Sequence, residues 1–334
     1  MEYTENSLNI LTAKSYKGIG NAWIVKNLRG NESVDTIVSL LNKTIKREST
    51  NFQEFERLKR SFETKLIERF ENYCDGFVAL GDPNFPRYRG VVKESEQPVF
   101  IYYKGDISLL NIENRNISVI GLLNPEGDIE ARERELVAEF VKNGAVIISG
   151  LAFGCDSISH RQALDSNGKT VAILPSPLNN ILPARNKNLA YEIVEKGGLL
   201  ISEYGNDFKT TMELSSRYKE RDRLQALFCD TIVLAASYSQ DTAKRWTHLS
   251  GQKLDSGARL AMSYAREYNI PRVVMYDSGL DSNNPMFDLN RQLINGGENV
   301  IEINRDNLVE SIKRILSNKP TVKNNCFYQP DLFD

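Results

Sequence analysis

Histidine is scarce in this chain: His160 and His248 are the only two, which leaves little for a histidine-rich metal site. Cysteine is scarce too. The four, Cys74, Cys155, Cys229 and Cys326, are scattered without a CxxC pair, so neither a metal cluster nor a disulfide framework is expected, and a reducing cytoplasm suits them. No apolar run is long enough to cross a bilayer, and the first residues lack a basic-then-apolar signal pattern. A soluble, cytoplasmic protein without membrane contact is the expectation. Net charge is nearly absent as well, at −2, so bulk charge draws no polyanion and any nucleic-acid surface must be a local patch. What remains is ample. The 334 residues are 41% hydrophobic, enough for a large core and more than one unit.

The rest of the chain is organised around Ala145-Val146-Ile147-Ile148-Ser149-Gly150-Leu151-Ala152-Phe153-Gly154-Cys155-Asp156. The β-branched run is too short for a helix and suits a strand covered on both faces. Gly150 and Gly154 bracket a turn. A helix over about 156–167 then aims its free N–H groups over the strand end, the outline of an anion or phosphate cradle. The same glycines also fit a plain βα turn that needs them only for packing.

Residues 1–72 read as helical. Gly18 and Gly20 lie in a turn between two short apolar segments, which fits either a helix-hairpin-helix element or an ordinary helix corner. Phe52, Phe55, Leu58, Phe62, Leu66, Ile67 and Phe70 recur at helical spacing and predict an amphipathic helix packed on a core. Prolines and glycines over 77–116 punctuate two short strands, the second expected at the edge of the next sheet. Apolar runs then recur at 117–120, 146–148, 170–174, 199–201, 231–235, 272–275 and 300–303, separated by helix-length amphipathic segments. That alternation predicts an α/β fold, a doubly wound and mostly parallel Rossmann-like sheet, with a small N-terminal helical domain. The division expected is a helical domain over 1–75, a connector with edge strands over 76–116, the Rossmann-like domain over 117–318 and a tail over 319–334.

Right-handed crossovers put the strand C-termini on one edge, where such folds bind ligands. Along that edge come Gly121-Leu122-Leu123, the 149–156 turn, Arg185-Asn186-Lys187, Glu203, then Arg217, Lys219, Arg221 and Arg223, and a polar loop over 237–255 with Trp246 that leads to Ser256-Gly257 at a helix start. Arginine forks suit phosphate oxygens, and aromatics stack on unpaired bases. Arg221-Asp222-Arg223 fits a phosphate contact and an internal ion-pair knot about equally; Trp246 fits base stacking and simple packing about equally. No nucleophile–base–acid set is present, and His160 is expected to orient the glycine turn. The tail with Phe327, Tyr328, Leu332 and Phe333 fits a partner-binding peptide or a segment folded back on its own domain.

The run from Ser149 to Asp156, with His160, Ala163-Leu164 and Gly168-Lys169-Thr170-Val171-Ala172-Ile173-Leu174, resembles the core signature of the DNA-processing protein A (DprA/Smf) family. The similarity continues through Leu182-Pro183, Asn186, Leu189, the 198–203 stretch, Arg221-Asp222-Arg223 in place of Arg-Asn-Arg, Ser256-Gly257, and Asn290 with 293–297. It covers roughly residues 77–300. The resemblance implies a non-enzymatic protein, without cofactor or metal, that binds single-stranded DNA, dimerises, and loads a RecA-type recombinase during natural transformation and recombination. The binding residues it implies are Ser149, Gly150, Leu151, Gly154, Asp156, Arg185, Asn186, Lys187, Arg221, Arg223, Ser256 and Gly257. Gly150, Leu151 and Gly154 would offer backbone N–H groups to phosphates, and Arg185, Lys187, Arg221 and Arg223 would neutralise charge.

Two departures mark a divergent member, fit also for a mobile-element or defence role. Gly121-Leu122-Leu123 stands where the family has Gly-Ser/Thr-Arg, and Asp222 replaces an asparagine. Two further readings share the same edge. One is a nucleotide-sensing domain of the wider SMF/DprA-LOG superfamily, with Asp156 or Glu203 accepting from ribose hydroxyls. The other is a LOG-like N-glycosidic hydrolase with Glu203 as its acid, against which the missing Pro-Gly-Gly-x-Gly-Thr run counts.

Overall fold

The computed structural model describes residues 1–45, 49–254 and 257–317. The N-terminal segment forms α1 (Glu5–Lys14), α2 (Asn21–Asn27), α3 (Val34–Thr44) and α4 (Phe52–Phe70). Two strands follow, β1 (Gly76–Ala79) and β2 (Phe100–Gly105). The alternating part then runs β3 (Arg115–Ile120), α5 (Gly127–Lys142), β4 (Ala145–Ser149), α6 (Cys155–Asp165), β5 (Thr170–Ile173), α7 (Lys187–Glu195), β6 (Leu199–Ser202), α8 (Thr211–Leu227) and β7 (Thr231–Leu234). It continues with α9 (Thr242–Arg245), α10 (Gly257–Glu267), β8 (Arg272–Met275), α11 (Ser278–Asp281), α12 (Asp288–Asn295), β9 (Val300–Ile303) and α13 (Leu308–Ser317).

The strands form one nine-stranded sheet in the order β1-β2-β6-β5-β4-β3-β7-β8-β9. β3 to β9 pair in parallel, while β1 and β2 are antiparallel to each other and β2 is antiparallel to β6. The second strand of the connector is therefore not the edge, as the sequence suggested. β1 lies outside it, and Glu2 bridges to Gly76 beyond that. The chain builds outward from β3 through β4, β5 and β6, then α8 carries it back to β7 on the other side of β3. The order reverses between β3 and β7, which opens the crevice of a doubly wound sheet at their C-terminal ends.

Strand alternation sorts the core. Ile148, Val171, Ile173, Ile201, Ile232 and Leu234 face α8 and α10, joined by Leu224, Leu227, Ala261 and Met262. Ile117, Val119, Ile147 and Val233 face the opposite layer, against Leu136, Val137 and Phe140 of α5 and Ile312 of α13. On that same side Phe77, Phe100, Tyr102, Ala172 and Leu200 meet α7 and the N-terminal helices. α5 shows how the sequence achieves this. Ile129, Leu136, Val137 and Phe140 form one helical stripe, and each large apolar side chain buried there stabilises by about 1.5–3 kcal/mol.

Candidate nucleic-acid interface

The edge is built on the turn after β4. Ser149 Oγ donates to the Val119 carbonyl (2.7 Å), fixing the strand end to β3. Asp156, in the first turn of α6, is buried, and its Oδ2 accepts from the N–H groups of Gly150 (3.1 Å) and Ala152 (3.2 Å). Gly150, expected to offer its N–H to a phosphate, thus donates inward. Leu151 is fully buried with φ +60°, a left-handed conformation unfavourable for a branched side chain. Asn186 holds it there, donating from Nδ2 to the carbonyls of Leu151 (2.8 Å) and Ala152 (3.1 Å). Gly154, at φ +67°, sits where any Cβ would strike the Leu122 and Leu123 carbonyls. The turn is clamped on its N–H side by Asp156 and on its carbonyl side by Asn186.

Gly150 has a specific steric reason. A Cβ there would overlap Nη1 of Arg221, which reaches from α8 across the turn. Nη1 donates to the Ile173 carbonyl (3.2 Å) and lies 3.8 Å from Asp156 Oδ2; Nε lies 3.2 Å from Asp222 Oδ1. With its carboxamide oxygen turned toward them, Gln225 accepts from Arg221 Nη1 (3.1 Å) and the Gly150 N–H (3.0 Å). Burial pushes the Asp156 carboxyl up, and the guanidinium of Arg221 opposes that shift.

The predicted cations separate into two pairs. Arg221 and Arg223 are buried. Arg223 Nη2 lies 2.8 Å from each carboxylate oxygen of Glu203, so the internal ion-pair knot is the arrangement present. Burial disfavours its charge, yet Glu203 overrides that and holds the guanidinium above its ordinary value. Arg185 and Lys187, flanking Asn186, are exposed and make no ion pair with another described residue. Lys187 Nζ lies only over the Tyr191 ring, 5.7 Å from its centroid. Gly257 is exposed at the start of α10; Ser256 and the 318–334 tail lie outside the described residues.

Other side chains secure the edge. His160 Nδ1 meets Thr170 Oγ1 at 2.7 Å, and the Thr170 hydroxyl proton goes to the Ile147 carbonyl, so Nδ1 carries the proton donated to Thr170. Burial drives His160 down to about 3, so it is neutral, and its hydrogen bond ties α6 to Thr170 of β5. Asn290 Nδ2 donates to the carbonyls of Leu234, Ala235 and Met275, tying β7 to β8. Trp246 is half-buried, its Nε1 donating to Asp288 Oδ2 (2.9 Å), which favours packing over a free stacking platform.

Two residues were missed. Gln225 gives no local signal. Glu133 does: it interrupts the apolar stripe of α5. It is fully buried, accepts from Ser159 Oγ (2.7 Å), and burial pushes its carboxyl up to about 8. Among the described residues no cluster of side chains suits a metal ion, and no helix is long and apolar enough to cross a membrane.

A mostly parallel sheet whose order reverses beside a clamped βα turn defines a Rossmann-like α/β protein with its crevice at the C-terminal ends of β3 and β7. The chain belongs to the DNA recombination-mediator protein A family, whose family model matches residues 76–244, half of its length. Protein Smf of Borreliella burgdorferi is 32% identical over 183 residues, covering 53% of this chain and 55% of that protein. The chain spans about half the length of such curated relatives. DNA processing protein A from Streptococcus pneumoniae shares the fold, with a TM-score of 0.64 at 22% identity over 93% of this chain and 99% of that one. The protein from Helicobacter pylori, solved for its single-stranded DNA binding mode, gives 0.55 at 25% identity over 71% and 96%.

Proposed function

We propose that this chain binds single-stranded DNA along the C-terminal edge of β3, β4 and β5 and acts in DNA processing as a recombination mediator. The observation that carries the reading is the unpaired, exposed pair Arg185 and Lys187 on either side of Asn186, the residue that clamps the Leu151–Ala152 carbonyls. Exposed cations carried beside a rigid turn suit a phosphate backbone. Family membership and the single-stranded DNA binding of the Helicobacter pylori protein support it.

Our reading is binding: Glu203, the acid a LOG-like hydrolase would use, is committed to Arg223. A nucleotide sensor is disfavoured by the same engagement of Asp156 and Glu203. We place the protein in the cytoplasm as a homodimer that hands DNA to a RecA-type recombinase.

Fluorescence anisotropy with a labelled oligonucleotide, single-stranded and as a duplex, tests the reading. Preference for the single strand is expected. Equal binding of both, or no binding alongside a thermal shift with a mononucleotide, would overturn it.

A further inference from the structure

Phe153 crowns the turn that the rest of the edge holds still. Asp156 fixes one side of that turn, Asn186 the other, and Gly154 seats it against the 122–123 backbone. None of these contacts uses the phenyl ring, and Phe153 is 39% exposed. Leu123, on the loop that Gly154 touches, is also 39% exposed. An immobilised backbone thus presents a solvent-facing aromatic beside a solvent-facing aliphatic side chain. One residue away, the Ala152 carbonyl is held by Asn186, whose chain neighbours are the unpaired Arg185 and Lys187.

An exposed aromatic, one residue from the carbonyl that Asn186 holds between the exposed Arg185 and Lys187, has the composition of a single-strand subsite. The ring takes a base, and the cations take the phosphates that follow. On the β3 side of the turn the half-exposed Leu123 offers carbon and no charge.

We propose that Phe153, bordered by Leu123, is a base-stacking subsite: one unpaired nucleobase lies on its ring while adjacent phosphates lie toward Arg185 and Lys187. This rests on the single-stranded DNA reading above and adds the contact that would distinguish a base-bearing strand from a bare polyanion. Every base has a π-face, so the subsite is tolerant of sequence.

The test compares the wild-type chain with Phe153→Ala and Phe153→Trp, using a labelled single strand and an abasic strand of equal length over a salt series. With Phe153 only 39% exposed, Phe153→Ala should lower the melting temperature modestly, so binding is read at a temperature where circular dichroism shows all three chains folded. Phe153→Ala should weaken binding of the base-bearing strand by about 5- to 150-fold, the range for one stacked base. The slope of log K against log salt should not change, since no charge is lost. Phe153→Trp should retain affinity, and the abasic strand should bind wild type and Phe153→Ala alike. Phe153→Ala binding within twofold of wild type, or losing equally on the abasic strand, would overturn the subsite alone. Absence of wild-type binding to any single strand would remove both the subsite and the reading beneath it.

Discussion

Adding a single methyl group at Gly150 tests how the edge is assembled. In Gly150→Ala the new Cβ would occupy the position of Arg221 Nη1, so the guanidinium must leave its seat. The seat is not loosely held: the Arg221 side chain is 5% exposed, and Nη1 donates to the Ile173 carbonyl at 3.2 Å. Asp156, with its side chain 9% exposed, would be left without its cation. Breaking a buried pair from one side costs about 3–5 kcal/mol. Restricting the unfolded chain by replacing glycine returns about 0.4–1 kcal/mol, so a net loss of about 2–4 kcal/mol is expected. Arg221→Ala alone should cost about 3–5 kcal/mol by the same argument. In the double variant only the close contact of the new Cβ with the Gln225 carboxamide remains, so Gly150→Ala should cost far less on Arg221→Ala than on the wild type. Urea unfolding of the four chains, followed by circular dichroism, gives the coupling directly. Costs that add to within about 0.5 kcal/mol would refute the claim that Gly150 exists to admit Arg221.

Glu133 makes stability depend on pH. Its folded value is about 8 against an ordinary 4.5, so between those limits the folded chain holds a proton that the unfolded chain has lost. The group costs nothing below about pH 4.5, and its penalty grows as pH rises toward 8, to on the order of 5 kcal/mol. Glu133→Gln should therefore gain over wild type in urea unfolding at pH 8 but not at pH 4.5; parallel pH profiles would exclude this. Arg223→Ala should cost about 3–5 kcal/mol by stranding Glu203, with Arg223→Ala/Glu203→Gln recovering part of it; a loss of DNA affinity at wild-type stability would instead assign Arg223 to the ligand.

The fold was largely legible because its signals are local. Each apolar run from 117 to 303 became a strand of the parallel part, and the glycine turn after Ile148 lies where it was expected. Thr210 caps α8, its side chain accepting from the Glu213 N–H. α3, capped by Ser33, falls within the segment read as helical. The site was less legible. Arg185-Asn186-Lys187 and Arg221-Asp222-Arg223 look alike as basic clusters, yet one is exposed and the other buried. That difference depends on Gln225, Glu203 and Asp156 meeting across distant parts of the chain, which no local pattern encodes. Glu133 was readable in principle, as a charge on the buried stripe of α5.

The central claim is that the exposed pair, not the buried one, meets the phosphate backbone. Its most direct test is the salt dependence of single-stranded DNA binding by the wild-type chain and by Arg185→Ala/Lys187→Ala. Removing two phosphate contacts should make the slope of log K against log salt shallower by about 1.4, at about 0.7 for each contact, and leave stability unchanged. A slope equal to that of the wild type would contradict the account.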